Sequence, residues 1–307
     1  MTTSSTSTRT GVATGNARVV VNMVAHNGEP HIRAMLESIA RQTRPVDAVV
    51  FFDDASTDCT VEIVESFRDR LPIDVRPLPE CGHHEWDVVY SRVGQHVGAG
   101  LRALADEDII IMTDLDDVWE DTRVEHQASR LEADQTIGVI AGSGPCIDER
   151  GRQLGFAFHE LYPRPSEWHR MTPVEQLRWT LWKPYGSGAN MALRGDVLKR
   201  IPPVPYGWLC DRWVTLAAAA LGELDLDDTP VVRYRLHDGN SLGATGSGTR
   251  GMFRRWAHWV GAPAVGFRRL RELHDLRAIA PSDELRRALS WPSLVMTIAS
   301  PRKWLGR

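Results

Sequence analysis

A chain of 307 residues, 42% hydrophobic and 25% charged, has the make-up of an ordinary globular protein and is long enough for one large domain or two small ones. No apolar run approaches the roughly 18 residues that a bilayer-spanning helix requires. The four cysteines, Cys59, Cys81, Cys146 and Cys210, are scattered without a CxxC pair, which argues against a zinc ribbon or a disulfide scaffold and for a reducing cytoplasm.

Residues 1–17 are Ser/Thr/Gly-rich, lack an apolar segment and read as a disordered tail. Arg18 to Ala25 is a Val-rich strand, and His31 to Gln42 carries Ile32, Met35, Leu36 and Ile39 at helical spacing. Ala48 to Phe52 is a second buried strand. Asp58 is placed to cap a helix with Val61, Val64, Phe67 and Leu71 inward. Ile73 to Arg76 is a third strand, and Val89, Val93, Val97, Leu101 and Leu104 stripe a helix. Asp108 to Met112 and Ile137 to Ala141 are further strands, with a helix expected to start near Trp119 between them. This βαβα rhythm predicts an α/β fold with a mainly parallel central sheet covered by helices. The second half is less regular: a Gly-rich turn at 185–188, a buried helix from Asp211 to Leu221 and a strand from Pro230 to Arg235. A Gly/Ser linker follows at 243–251, then a basic, Trp-containing region of two or three helices broken by Pro263 and Pro281. From Arg250 to Arg307 there are 12 Lys/Arg against 4 Asp/Glu, a balance of +8, so the first 249 residues carry −12 of the net −4. Such a basic end either meets something anionic or folds back onto the acidic body.

In parallel sheets ligands bind beyond the carboxyl ends of the strands. Three strand ends here are polar: Ala25-His26-Asn27-Gly28-Glu29, Asp53-Asp54-Ala55-Ser56-Thr57-Asp58 and Thr113-Asp114-Leu115-Asp116-Asp117. Asp114, Asp116 and Asp117 repel one another, and a hard cation with a phosphate would neutralise them; the bland alternative is that Asp116 and Asp117 favour the macrodipole of the next helix. Asp53 is not needed for capping and is suited to accept a hydrogen bond from a nucleobase imide. Asp211, among aromatic residues, is either a general base of raised pKa or a capping residue. Arg233, Arg235 and His237 fall on one face of a strand, where together they could hold pyrophosphate and offer His237 to a metal ion; taken singly, each reads as a surface residue. The tight Cys81, His83, His84, Glu85 cluster is read as a polar loop beside the pocket and not as a zinc site. In the basic end, Phe253, Trp256 and Val260 share a helix face beside Arg254 and Arg255, suited to an anionic membrane surface or, preferably, to packing on the body or a second subunit.

From about Arg18 to Gly243 these motifs together resemble family 2 glycosyltransferases of the GT-A fold. Phe52-Asp53-Asp54-Ala55-Ser56-Thr57-Asp58 resembles the family's donor-base motif. Met112-Thr113-Asp114-Leu115-Asp116-Asp117-Val118-Trp119 resembles the form of the DxD motif found in a rhamnosyltransferase-like, surface-polysaccharide branch. Gly188-Ala189-Asn190-Met191, Asp211, and Tyr234-Arg235-Leu236-His237 with Asn240 match later positions of that branch. His26 stands where Tyr is usual, Leu115 where Gln is usual, and the loop 81–86 lacks an expected Asn.

The resemblance implies an inverting transfer from a nucleotide-diphosphate sugar, dTDP- or UDP-linked, to a saccharide or lipid-linked hydroxyl acceptor in bacterial cell-surface synthesis. It implies Asp211 as base and Ala25, His26, Asn27, Glu29, Asp53, Asp114, Leu115, Gly188 and Arg235 around the donor, with Asp114 orienting ribose or sugar. Asp116 and His237 would hold Mg2+ or Mn2+. Residues 18–245 form the expected catalytic domain and 246–307 a helical extension. The expected location is cytoplasmic, with peripheral contact to the inner membrane face left open, and no nucleic-acid partner is expected. The rivals are a phosphatase of the haloacid-dehalogenase type, with Asp114 as nucleophile, and a sugar-binding protein without catalysis.

Overall fold

A computed structural model describes residues 16–80, 89–183, 185–237 and 263–299. The zinc-tempting loop at Cys81, His83, His84 and Glu85, residue Asn240, the Gly/Ser linker and the Phe253–Val260 helix face lie outside them, as does most of the expected N-terminal tail. At its edge, Ala17 donates its N–H to Glu132.

The elements run β1 (Val19–Ala25), α1 (Ile32–Ala40), β2 (Ala48–Asp53), α2 (Thr60–Glu65), β3 (Ile73–Pro77), α3 (Val89–Arg102), β4 (Ile109–Met112), β5 (Val118–Trp119), α4 (Arg123–Ala133) and β6 (Val139–Ser143). They continue β7 (Pro145–Ile147), β8 (Gln153–Ala157), α5 (Phe158–Leu161), α6 (Pro173–Trp182), β9 (Met191–Arg194), α7 (Gly195–Arg200), α8 (Cys210–Leu221), β10 (Leu224–Pro230) and β11 (Val232–Arg235). Last come α9 (Pro263–Asp275), α10 (Asp283–Ala288) and α11 (Trp291–Ala299).

A seven-stranded sheet in the order β3-β2-β1-β4-β9-β6-β10 forms the centre. Its strands are parallel except β9, which runs antiparallel to both β4 and β6. β1 and β2 are buried on both faces, which explains their continuous Val/Phe-rich runs. On one side, α1 lays Ile32, Met35, Leu36 and Ile39 onto the sheet, at the spacing of a single helix face. On the other, α8 is almost wholly buried and ends where Gly222 adopts a left-handed conformation (φ 75°). α6 starts from a reciprocal cap between Thr172 and Glu175, with Pro173 in its first turn.

The predicted α/β, mainly parallel architecture is the one observed. Two local expectations are corrected. No helix starts near Trp119: Val118 and Trp119 form β5, and α4 begins only at Arg123. The stretch read as one strand from Pro230 to Arg235 is the end of β10 and the whole of β11, and β10 pairs with β6 in the main sheet. β5, β11, β7 and β8 form a second sheet of four strands. Its β5–β11 ladder sets Val118 opposite Arg233, so the residues just before β5 lie beside those that end β11.

The described part of the basic end folds back onto the body. Leu273, Leu276, Ala280, Leu285, Ala288, Leu289 and Leu294 join the same buried cluster as α6 and α8. Trp182 donates its indole N–H to the carbonyl of Thr297 at 3.1 Å. Among the described residues no helix is long and apolar enough to cross a membrane.

Candidate active site

The register of the sheet aligns the strand ends: Ala25 pairs with Asp53, and Asn22 with Met112. The loops after β1 and β2 are stitched together. Asn27 Oδ1 accepts the Thr57 N–H at 2.8 Å, Ser56 Oγ accepts the Asn27 N–H at 3.0 Å, and His26 Nδ1 lies 2.7 Å from the Asp54 carbonyl. Asp58 Oδ2 accepts the Glu29 N–H at 3.1 Å, and Glu29 Oε2 accepts the Cys59 N–H at 3.1 Å. Asn27 (φ 51°) and Ala55 (φ 55°) hold left-handed backbone without being glycine, a strain these cross-bonds sustain. Ala25 is buried at the root of this pair of loops, its carbonyl accepting the Asp54 N–H at 2.7 Å. Asp53 is not spared from local duty: both its oxygens lie 3.2 Å from the Ser56 N–H. Asp58 Oδ1 accepts the Thr60 N–H at 3.0 Å from one residue before the cap position of α2, which is Cys59 and makes no side-chain cap bond, so the expectation that Asp58 caps this helix is corrected to a local turn at its entry.

The acidic cluster after β4 divides into three environments. Asp114 points toward the Gly188 turn and accepts the Ala189 N–H. A Cβ on Gly188 would stand 2.5 Å from Asp114 Oδ1, so only glycine lets the turn approach this closely. Asp211 accepts the neighbouring Gly188 N–H, and its Oδ1 accepts the Arg212 N–H at 2.6 Å. Two consecutive amides thus hold two carboxylates from distant parts of the chain side by side. Burial, with Asp116 and Asp211 nearby, pushes the Asp114 carboxyl up to about 7. Burial also raises Asp211 above the usual carboxylate range. Asp211 is the second residue of α8, whose cap position is Leu209, so it is not the capping residue.

Asp117 is buried, and its Oδ1 accepts the Arg235 N–H at 2.7 Å while Oδ2 has no hydrogen-bond partner. Burial and the two neighbouring carboxylates hold it well above its ordinary pKa. Asp116 faces outward, with Oδ2 2.9 Å from His237 Nε2; the side chains are 25% and 15% exposed. This brings the two predicted metal ligands together, because the β5–β11 ladder juxtaposes their segments. Leu115 packs on Gly28, whose added Cβ would lie 3.0 Å from Leu115 Cδ1, and so joins the acidic loop to the loop after β1.

The expectation of one basic face on β11 is corrected. Arg233 is exposed and paired with Glu120 at 3.0 Å. Arg235 is buried, its guanidinium bonding the carbonyls of Asp116 (2.5 Å), Asp148 (3.1 Å) and Glu149 (2.8 Å). It therefore fixes the acidic loop instead of reaching out from it.

Four further residues belong to the site. Arg123, fully buried, stacks over Trp119 at 4.2 Å and bonds the carbonyls of Met112, Ala189 and Met191. It is the fixed positive charge behind Asp114 and Asp117. His31 packs against His237 with ring centroids 5.0 Å apart. Arg92 and His96 of α3 approach Asp54 at 3.0 and 2.7 Å. Their four-residue spacing on one helix face was a signal, masked by the apolar stripe of the same helix.

A parallel sheet interrupted by one antiparallel strand, with acidic residues at the end of β4 facing a glycine turn before that strand, defines the GT-A class of glycosyltransferase. The chain belongs to glycosyl transferase family 2, whose sequence profile matches residues 20–201, more than half its length. It is 23% identical over 241 residues to an uncharacterized glycosyltransferase, alr2836, of Nostoc sp. (strain PCC 7120), covering 76% of this chain and 69% of that one. Its fold is similar to S. aureus TarS 1-349 in complex with UDP-GlcNAc, with TM-score 0.58 and 17% identity, over 93% of this chain and 74% of that one. TarS 1-349 without a named ligand gives TM-score 0.51 and 17% identity, over 93% and 91% of the two chains.

Proposed function

We propose that this glycosyltransferase is inverting and cation-dependent, and that it moves a sugar from a UDP- or dTDP-sugar to a hydroxyl of a saccharide or lipid-linked acceptor in bacterial surface-polysaccharide or glycoconjugate synthesis. The observation that carries the reading is the pairing of Asp211 with Asp114 across the Gly188–Ala189 amides, beside Asp116 and His237. The Asp-Asp-Val-Trp and Tyr-Arg-Leu-His sequences at 116–119 and 234–237 support the surface-polysaccharide, rhamnosyltransferase-like branch. Family membership leaves the phosphatase alternative without support.

The residues present would hold a divalent cation through two donors, because among the described residues no three His, Cys, Asp or Glu side chains group closely enough to ligate one ion. Three carboxylates crowd one loop, one buried oxygen of Asp117 lacks a partner, and Asp116 and His237 offer an oxygen and a nitrogen at the open edge. Two protein donors suit an ion that completes its shell with substrate phosphates. A bound Mg2+ or Mn2+ would supply Lewis-acid neutralisation of the departing diphosphate.

The loops after β1 and β2 are the wall for the nucleoside, with His26, Asn27, Glu29 and Asp53 around it, and Asp114 orients the ribose or sugar. The acceptor hydroxyl lies on the Asp211 side. Asp211, ionised, takes its proton as the hydroxyl oxygen bonds to the anomeric carbon; the bond from that carbon to the phosphate oxygen breaks and the nucleoside diphosphate leaves. Attack opposite the leaving group inverts the anomeric centre. A panel of nucleotide sugars, read by nucleoside diphosphate release with and without EDTA, tests the reading. Release from one donor that EDTA stops and Mn2+ restores is expected; EDTA-insensitive transfer would sink the cation, and a retained anomeric configuration would sink the inverting step.

A further inference from the structure

Asp211 sits at the start of α8, immediately after the turn Tyr206–Trp208, and that turn is held from two sides. From below, α3 presses against it at Gly94, where any side chain would collide with the Trp208 carbonyl. From above comes α9. Trp208 is 2% exposed, and its indole N–H donates to Glu272 Oε2 at 2.5 Å. Arg269 donates to the Gly207 carbonyl at 3.2 Å and lies over the Trp208 ring at 5.6 Å. Arg268 covers Tyr206 at 5.8 Å and approaches Glu272 at 3.6 Å. Gly207 adopts φ 85°, which permits the sharp entry into α8.

We infer that α9 positions the catalytic carboxylate: Glu272 and Arg269 grip the turn Tyr206–Trp208 and thereby set where Asp211 stands. The inference rests on the reading of Asp211 as the base. Its physical basis is the kind of contact used. Half-burying a carboxylate costs desolvation, and an apolar pair would stabilise the fold as well or better. A carboxylate–indole hydrogen bond is directional, so what it adds is orientation. Asp211 lies three residues beyond Trp208, within the first turn of a rigid buried helix, so a tilt of the turn moves the carboxylate directly. The turn, the base and α9 all lie beyond the 20–201 stretch that matches the family profile.

The test is Glu272→Ala beside Glu272→Gln, which keeps an oxygen acceptor for the indole. Transfer kinetics, thermal midpoint and amide hydrogen exchange over residues 205–213 are read for each. Glu272→Ala is expected to lower kcat on the order of 10- to 100-fold while donor KM stays within about twofold. Exchange should quicken in the turn while the central sheet keeps its protection, and Glu272→Gln should recover most of the rate. If Glu272→Ala folds poorly, Trp208→Phe, which keeps the ring and deletes only the N–H, carries the same expectations. The inference is overturned if Glu272→Ala leaves kcat unchanged, if kcat, KM and thermal midpoint fall into disorder together, or if Glu272→Gln is as impaired as Glu272→Ala. Should the wild type transfer normally but Asp211→Asn do so too, the base reading fails; exchange over the turn then decides separately whether α9 holds it.

Discussion

Gly188→Ala tests the site at its tightest point. The new Cβ would lie 2.5 Å from Asp114 Oδ1 and 3.2 Å from its Cγ. An ordinary contact needs about 3.4 Å, so the carboxylate must retreat by about 0.9 Å or the turn must open by as much. Neither is free to do so. The Ala189 amide holds Asp114, and Asn190, fully buried, holds the turn through its Oδ1 to the Ser187 N–H at 2.8 Å and its Nδ2 to the Gly142 carbonyl at 2.7 Å. A displacement near 1 Å at a group that orients substrate costs on the order of 100-fold in rate. Overpacking of this kind costs about 1–3 kcal/mol in stability. Steady-state transfer at saturating donor and chemical denaturation measure the two effects. The stability cost should vanish when Gly188→Ala is made in an Asp114→Ala background, because the clash partner is gone. A Gly188→Ala enzyme within about twofold of wild type, or a stability cost that persists in the double variant, would refute the reasoning.

Asp211→Asn should lower kcat by about 100- to 10,000-fold while nucleoside diphosphate binding with Mn2+ is kept. Burial raises the Asp211 pKa, and the base works ionised, so the wild-type rate should fall as pH drops through that raised value, above the ordinary carboxylate range; a rate that begins to fall only within the ordinary carboxylate range would count against it. Asp116→Ala should remove the rescue by Mn2+ of EDTA-treated enzyme and cost about 100-fold or more in transfer, followed by nucleoside diphosphate release. Arg235→Lys replaces a fork that spans three carbonyls with a point charge; isothermal titration should register weaker Mn2+ binding, and denaturation a loss of about 2 kcal/mol. Equal stability and equal Mn2+ affinity would show that the acidic loop holds itself.

Strands β1, β2 and β4 were legible because a parallel strand buried on both faces must be almost continuously apolar, and Val19–Ala25, Ala48–Asp53 and Ile109–Met112 are. The polar residues that break those runs stood out for the same reason. β5 was not legible: two residues, Val118 and Trp119, carry no periodicity, and only their pairing with β11 makes them a strand. Arg123 left no trace either, since an arginine that is buried against carbonyls is spelled like one that is exposed on a helix.

The sequence by itself determined the sheet, the acidic strand ends and, through its ordered motifs, the family. Only the tertiary structure decided what each aspartate meets. Asp114 meets the Gly188 turn, Asp116 meets His237, and Asp117 receives the amide of Arg235, all from partners at least 70 residues away. Local pattern reports which residues face the core; it is silent on which distant backbone amide or ring will stand opposite a given carboxylate, because that depends on the crossing of β9 and β11 with strands made much earlier in the chain.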